Sequence, residues 1–479
     1  MADKKESGTL EKIVAFLAGL SFYQLPYLAL ATGKYTLGRF MISPSFVSIY
    51  INRINVSFRI ITLLGITTMT VYSQCKGRYK TQLCMAFFPL LHLCYIFLLF
   101  VYASGGAQGH MTLYYWGILI GSFVLGLCFT TAVEILSANV VCLLAALPMA
   151  GIVVSLYHLS FLVIGSFIGV SDVNYWLVVC QIIMGALLTG SSAILYIVAY
   201  WNKKDATGGD GGDPDPFMTA FAKAWSPILL ITLGYGLHSA FYSAIAPYKL
   251  IGVRKGYTID MTILFTSAIA PLSVLVLKEK DMGPNKPWRD SDAIWHASWI
   301  FFVIEVFCAV IFACSLHFPE WRLTKVVRSN ALVLGFLTVL YDTCAQATRT
   351  IGTNGADTQG QPKTSNNIMN TFNTFTYSLS QVIFAFLGDG YVKTYSKYEH
   401  NRERWPTKHY TNKRAFWFWT WSATKVSYHT LGTAFTTDLR SEVIGKKELL
   451  FIVYADDTND SSKPTKAKDP KVMKIVHGI

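Results

Sequence analysis

Charged residues are scarce in this chain of 479 residues. Asp, Glu, Lys and Arg together make up 14% of it, whereas hydrophobic residues make up 52%. A soluble domain needs more polar surface than this to cover its apolar core in water. The composition therefore excludes an ordinary soluble protein and indicates a chain whose surroundings are lipid.

The motifs of soluble enzymes and of metal sites are also missing from the sequence. It has no G-x-x-x-x-G-K-[ST] phosphate loop and no G-x-S-x-G nucleophile motif. Its nine cysteines lie in or beside apolar segments, without a C-x-x-C pair, as small packing residues do. We therefore expect a protein that is not an enzyme and that binds no metal and no cofactor.

Long apolar runs are what the sequence has in abundance. About eleven stretches have the length of roughly 20 residues that an α-helix needs to cross a hydrocarbon core. They predict an all-α membrane protein, a polytopic helical bundle of about 11 transmembrane helices, within a range of about 10 to 12. The runs are residues 13–32, 54–74, 83–103, 113–136, 140–169, 175–201, 225–251, 259–277, 294–316, 331–347 and 371–392.

Polar segments divide these runs into a six-plus-five arrangement. Residues 202–222 form a Gly-, Asp- and Pro-rich loop, which is typical of flexible, water-exposed chain. The loop separates a six-helix bundle, residues 1–201, from a five-helix bundle, residues 223–392. A polar basic tail follows at 393–479, and its aromatic stretch 416–435 predicts either an interfacial helix or a twelfth span.

The net charge of +13 is concentrated partly in this tail. Basic residues beside a membrane attract anionic lipid head groups, so we expect the tail to contact such lipids. The partners expected for the whole chain are the lipid bilayer and a small polar solute, with no nucleic acid. Among membranes, the prediction is a multi-pass protein of the plasma membrane rather than of an internal membrane.

Ionisable residues inside the apolar runs are candidates for lining a solute pathway. A charge in hydrocarbon costs free energy, so such a side chain tends to face a protein interior or a water-filled cavity. The flanks of Glu305 are wholly apolar, which predicts that its side chain faces inward. Asp389 stands between two glycines near the end of the last run, which predicts a turn. The other three candidates are Arg59, Glu134 and Asp342.

Several segments resemble the equilibrative nucleoside transporter family. Residues 16–20 (FLAGL), followed by Leu25 and Pro26, are similar to the family's first span, and residues 116–126 (WGILIGSFVLG) to its glycine-rich fourth span. Residues 145–151 (AALPMAG) resemble its next region, and residues 243–248 (SAIAPY) the end of its seventh span. The six-plus-five layout also resembles lineage-expanded multi-span membrane proteins of piroplasm parasites.

The resemblance to the nucleoside transporters implies a rearranged major-facilitator-like fold and a facilitative carrier that works by alternating access. It implies a nucleoside-like or nucleobase-like substrate, which needs hydrogen bonds and aromatic stacking near the membrane midplane. The residues that we expect to bind this substrate are Tyr23, Gln24, Tyr27, Arg59, Tyr235, His238, Tyr242 and Glu305.

Two other interpretations of the sequence remain open. A major-facilitator-type transporter of sugars or amino acids would carry a basic loop between spans two and three, and residues 76–80 (KGRYK) are similar to such a loop. Alternatively, the chain is a non-transporting surface or scaffold membrane protein, in which the buried charges only pair with one another. Uptake measurements separate all three interpretations.

Overall fold

In a computed structural model, the chain consists of two units, residues 1–435 and residues 436–479. Residues 202–215, most of the predicted polar loop, lie outside the part of the chain that the structure describes. The described residues are 2–75, 79–106, 108–136, 139–201, 216–242, 245–359, 367–399, 403, 405–433, 435–436, 438–444, 450–454 and 472–477.

The first six apolar runs form helices, because in lipid the backbone amides must find their hydrogen-bond partners within the segment. The first run is interrupted at Tyr23, so that it forms two consecutive helices, α1 and α2. The helices of this half are α1 (Ala2–Phe22), α2 (Gln24–Ala31), α3 (Gly33–Arg39), α4 (Val47–Cys75), α5 (Lys80–Ala103), α6 (Met111–Ile135), α7 (Val140–Ile168) and α8 (Val173–Tyr200).

The later runs form a second set of helices, two of them much longer than the apolar runs from which they were predicted. The set consists of α9 (Phe217–Phe241), α10 (Tyr248–Ile251), α11 (Val253–Thr266), α12 (Ile269–Glu279), α13 (Trp299–His317), α14 (Arg322–Ser329), α15 (Ala331–Gln359), α16 (Asn367–Tyr398) and α17 (Asn412–Thr433). A 3-10 helix, Asp290–Ser298, precedes α13.

The prediction of an all-α polytopic membrane bundle is confirmed. Within the described ranges, ten helical segments are long and apolar enough to cross a membrane. Helix α16 has 32 residues but is not among the ten, because its interior carries buried polar residues such as Asn373 and Asp389. Helix α17, which contains most of the aromatic stretch 416–435, is not among them either and packs along α16.

The two halves of the larger unit pack internally and also meet each other. In the first half α4 packs on α6, α5 on α8 and α1 on α7, and in the second half α9 packs on α15 and α16. The halves meet where α4 lies against α16 and where α7 lies against α11. We call these two contacts the α4–α16 seam and the α7–α11 seam.

The contact between α4 and α6 depends on glycine. A β-carbon added to Gly126 would collide with the backbone oxygen of Thr62, and one added to Gly65 would collide with that of Phe123. Small residues allow membrane helices to pack with their backbones in contact, which supplies the van der Waals attraction that holds them together.

We therefore expect Gly126→Ala to destabilise the bundle by about 1–3 kcal/mol, the usual cost of overpacking. The measurement is the unfolding temperature of the detergent-purified protein. Gly335→Ala is the matched control, because its added β-carbon would stay 3.5 Å from the nearest Ile259 side-chain atom and should leave the unfolding temperature nearly unchanged. Equal unfolding temperatures for the two variants would contradict the proposed tight packing.

The smaller unit, residues 436–479, holds a short helix and a two-stranded sheet. Helix α18 (Leu439–Ile444) follows Asp438, whose carboxylate accepts a hydrogen bond from the backbone nitrogen of Ser441 at 3.2 Å. A second hydrogen bond, from the Ser441 hydroxyl, is the main reason that the pKa of Asp438 is lowered. Strands β1 (Leu450–Tyr454) and β2 (Val472–His477) pair antiparallel.

Candidate functional site

A cavity of about 190 Å³ lies between the two halves of the larger unit. Both halves line it: α1, α2, α4 and α6 from the first, and α9, α11, α15 and α16 from the second. The volume exceeds the roughly 150 Å³ of an engineered cavity that binds benzene, so a compact ring-bearing solute fits inside.

Six of the eight residues that the sequence nominated line this one cavity. Tyr23 reaches it from the break between α1 and α2, and its ring packs edge-on against the ring of Tyr27 with 5.6 Å between centroids. The broken helix thereby presents two aromatic rings at one point of the wall. The six residues are Tyr23, Tyr27, Arg59, Tyr235, His238 and Tyr242.

The other two nominated residues lie away from the cavity. Gln24 is buried, and its side-chain amide donates to the carbonyl oxygen of Leu20 at 3.4 Å. Glu305 is fully buried on α13, and its carboxylate accepts a hydrogen bond from Thr348 at 3.2 Å. Glu305 thus faces the protein interior, as its apolar flanks predicted, but it is not part of the cavity wall.

Two arginines line the cavity. The guanidinium of Arg349, on α15, lies between two tyrosine rings, with its central carbon 5.0 Å from the centroid of Tyr23 and 5.0 Å from that of Tyr235. Arg59, on α4, donates to the amide oxygen of Asn55 at 2.9 Å and to that of Gln381. Two arginines from opposite halves of the bundle therefore face one space.

Two aspartates also line the cavity. Asp342, on α15, has one carboxylate oxygen 3.1 Å from Nε2 of His238. Asp260, on α11, accepts hydrogen bonds from the hydroxyl groups of Tyr242 and Tyr248, the latter at 3.0 Å. The ring of His238 stacks on that of Tyr242, with centroids 5.0 Å apart, so the two acidic groups belong to one network.

Sequence reasoning missed Arg349 and Asp260 and did not assign Asp342 to the substrate site. Arg349 lies just beyond the apolar run 331–347, whereas α15 continues to Gln359. A signal was present in the spacing, since Asp342, Gln346 and Arg349 are four and then three residues apart and therefore share one helix face. All three line the cavity.

The predicted turn at Asp389 is wrong. Asp389 is buried inside α16, because its carboxylate has partners there: the amide of Asn52 donates to it at 2.7 Å, and the ammonium of Lys393 lies 2.8 Å from it. The carboxylate of Glu134 is likewise paired, with Lys80 at 2.8 Å. No cluster of three His, Cys, Asp or Glu side chains suited to a metal ion occurs among the described residues.

Comparison with known proteins identifies the fold. No family model and no curated protein matches the sequence. The solved structure of a D-xylose-proton symporter is similar to this chain with a TM-score of 0.51 at 11% identity, over 89% of this chain and 97% of that one. The fold is therefore that of this symporter, an all-α membrane bundle with the major-facilitator-like arrangement that the family resemblance implied.

Two further solved structures show weaker likeness, each with a TM-score of 0.44. The nucleoside transporter NupG is 13% identical over 90% of this chain and all of its own. A bacterial homolog to the human lysosomal transporter Spinster, in an inward-facing and occupied conformation, is 11% identical over 89% of this chain and 94% of its own. The resemblance to the equilibrative nucleoside transporters stays a prediction.

Proposed function

We propose that this chain is a facilitative solute transporter that works by alternating access. The observation that carries the proposal is a cavity lined jointly by both halves of a bundle with a major-facilitator-type fold. A site between two packed bundles is where such a carrier binds its substrate, because rocking one bundle against the other then opens the site to each side in turn.

The seams provide the contacts that rocking would break and remake. Across the α4–α16 seam, Asn52 bonds to Asp389 and Arg59 bonds to Gln381. Across the α7–α11 seam, the hydroxyl of Ser155 donates to the carbonyl oxygen of Met261 at 3.0 Å. Polar contacts of this kind are exchangeable with water when a seam opens, which suits a reversible movement.

The chemistry of the lining favours a nucleobase-like or nucleoside-like substrate. Tyr23, Tyr27 and Tyr235 contribute aromatic rings to the wall, and a planar ring can stack on the parts of them that Arg349 does not cover. The Asn55 and Gln381 side chains offer amide groups for hydrogen bonds. The volume of about 190 Å³ favours a compact solute.

The test is uptake by proteoliposomes that contain the purified chain, with empty liposomes as the blank. Labelled uracil and uridine are compared with xylose and with a set of amino acids. Saturable uptake of the first pair that stops at equal concentrations inside and outside would support the proposal. Flux of xylose or of amino acids alone would assign the second candidate, a sugar or amino-acid transporter, whereas no flux from folded protein would contradict transport.

Removing one aromatic ring from the cavity wall should weaken transport. We expect Tyr235→Ala to reduce the affinity for a transported nucleobase roughly tenfold, because stacking of a base on an aromatic ring contributes about 1–3 kcal/mol. The measurement is the concentration for half-maximal uptake. Tyr428→Ala is the control, since Tyr428 is 78% exposed on α17 and outside the cavity wall; an equal effect of both substitutions would argue against a stacking role for Tyr235.

A further inference from the structure

The two arginines of the cavity have neutral partners only. Arg59 is hydrogen-bonded to two amide oxygens, and Arg349 contacts the faces of Tyr23 and Tyr235. Within the part of the chain that the structure describes, no carboxylate lies within ion-pair distance of either guanidinium. Each guanidinium carries five N–H donors and always keeps its charge, so this site has donors to spare.

The two carboxylates in the cavity wall contact groups other than the arginines. Asp260 holds two tyrosine hydroxyl groups, and Asp342 lies against His238 and accepts from the amide of Gln346 at 3.3 Å. Asp342 and Arg349 are seven residues apart on α15, which corresponds to about 10 Å along the helix axis. Among the described residues, these carboxylates and the two guanidinium groups form no ion pair.

The surroundings of Arg349 leave its N–H edge for a ligand. Its side chain is only 7% exposed, and tyrosine rings cover it on two sides. A guanidinium covered on its faces still presents in-plane donors, and their fork geometry matches a carboxylate or a phosphate. Burying a cation without an anionic partner costs free energy. An anion that reaches this edge supplies the missing partner, so its binding is favourable.

We infer that the substrate carries an anionic group, a carboxylate or a phosphate, that binds between Arg59 and Arg349. The inference rests on the proposed transport function and narrows its nucleobase-like or nucleoside-like substrate class to anionic members. The ring of the substrate then stacks on the tyrosines, while its anionic group joins an arginine of the first half to an arginine of the second. Through this bridge, one solute contacts both halves of the bundle directly.

The test uses matched ligands that differ by one anionic group. Orotate is uracil with a carboxylate, and uridine 5′-monophosphate is uridine with a phosphate, so the two pairs separate the two anion chemistries. Binding to the detergent-purified full chain is measured at constant ionic strength by the rise in unfolding temperature with ligand concentration. We expect the dissociation constant of at least one anion to be lower than that of its neutral counterpart by a factor of about ten or more.

Substitutions connect this preference to the arginines. Arg349→Gln and Arg59→Gln should each remove the preference for the anionic member of each ligand pair over its neutral counterpart. Arg349→Lys, which keeps the charge but loses the planar fork, should give an intermediate preference. Arg322→Gln is the control, because Arg322 is exposed on α14 and outside the cavity wall. Should Arg349→Gln not fold, Arg59→Gln carries the test.

The outcomes separate this inference from transport itself. Equal binding of both members of each pair, binding of neither, or an anion preference that survives in Arg59→Gln and Arg349→Gln would overturn the inference. Saturable flux of the neutral ligands alone would also overturn it and would leave the transporter standing. Anion binding that depends on the arginines, without flux in proteoliposomes, would support the anion site and contradict the proposed transport.

Discussion

Cross-linking residue 52 to residue 389 is expected to reduce uptake to the level of empty liposomes. The side chains of Asn52 and Asp389 meet across the α4–α16 seam at 2.7 Å, so cysteines placed at both positions are within reach of a short thiol-reactive cross-linker. Alternating access requires each seam to open in turn, and a covalent bridge keeps this one closed. Uptake is measured before cross-linking, after it, and after reductive cleavage of the linker, which should restore the starting rate.

A pair of cysteines within one half is the matched control for this experiment. Lys249 and Ser396 both belong to the second half, where their side chains lie 3.1 Å apart. Cross-linking cysteines at these two positions leaves both seams free, so most of the uptake should remain. Normal uptake by protein that is quantitatively cross-linked at residues 52 and 389 would show that the α4–α16 seam does not open during transport.

Removing both hydroxyl donors from Asp260 is expected to destabilise the bundle strongly. Asp260 is 4% exposed, and the hydroxyl groups of Tyr242 and Tyr248 donate to its two carboxylate oxygens. The double substitution Tyr242→Phe with Tyr248→Phe leaves a buried carboxylate without these donors. We expect a loss of roughly 3 kcal/mol or more, measured as a fall in the unfolding temperature of the purified protein.

The reason for this loss can be checked by rescue. Replacing Asp260 by Leu in the double variant removes the orphaned charge, so stability should return, because an apolar group of similar size needs no donor. Tyr341→Phe is the control: its hydroxyl donates to the carbonyl oxygen of Leu237 at 2.7 Å, and losing this bond should cost only about 1 kcal/mol. A triple variant less stable than the double one would contradict the orphaned-carboxylate explanation.

Apolar runs predicted the helices well, because lipid demands uninterrupted apolar length. Helix α5, for example, was expected at 83–103 and spans Lys80–Ala103. The same rule failed for α15, whose second half turns polar residues toward the protein and therefore no longer has the hydropathy of a lipid-facing helix. Hydropathy identifies residues that contact lipid. Residues that line a cavity have little such contact, so hydropathy does not identify them.

The site was predictable in its residue types but not in its assembly. Tyr235, His238 and Tyr242 recur at intervals of three and four residues, so one helix face presents all three, and the structure places them in the cavity wall. Glu305 also lies in an apolar run, yet its side chain contacts Thr348 of helix α15 rather than the cavity. The difference depends on which helices pack together, and a hydropathy pattern does not contain that information.

The polar character of the α4–α16 seam has a kinetic consequence. The described contacts that join its helices include an amide bonded to a carboxylate and a guanidinium bonded to an amide. Water satisfies all of these groups, so separating the helices exchanges one set of hydrogen bonds for another at little net cost. A seam of interlocked aromatic rings would instead expose apolar area with every opening. We therefore expect the turnover rate of this protein to change more when substitutions make the seam more apolar than when they only weaken its hydrogen bonds.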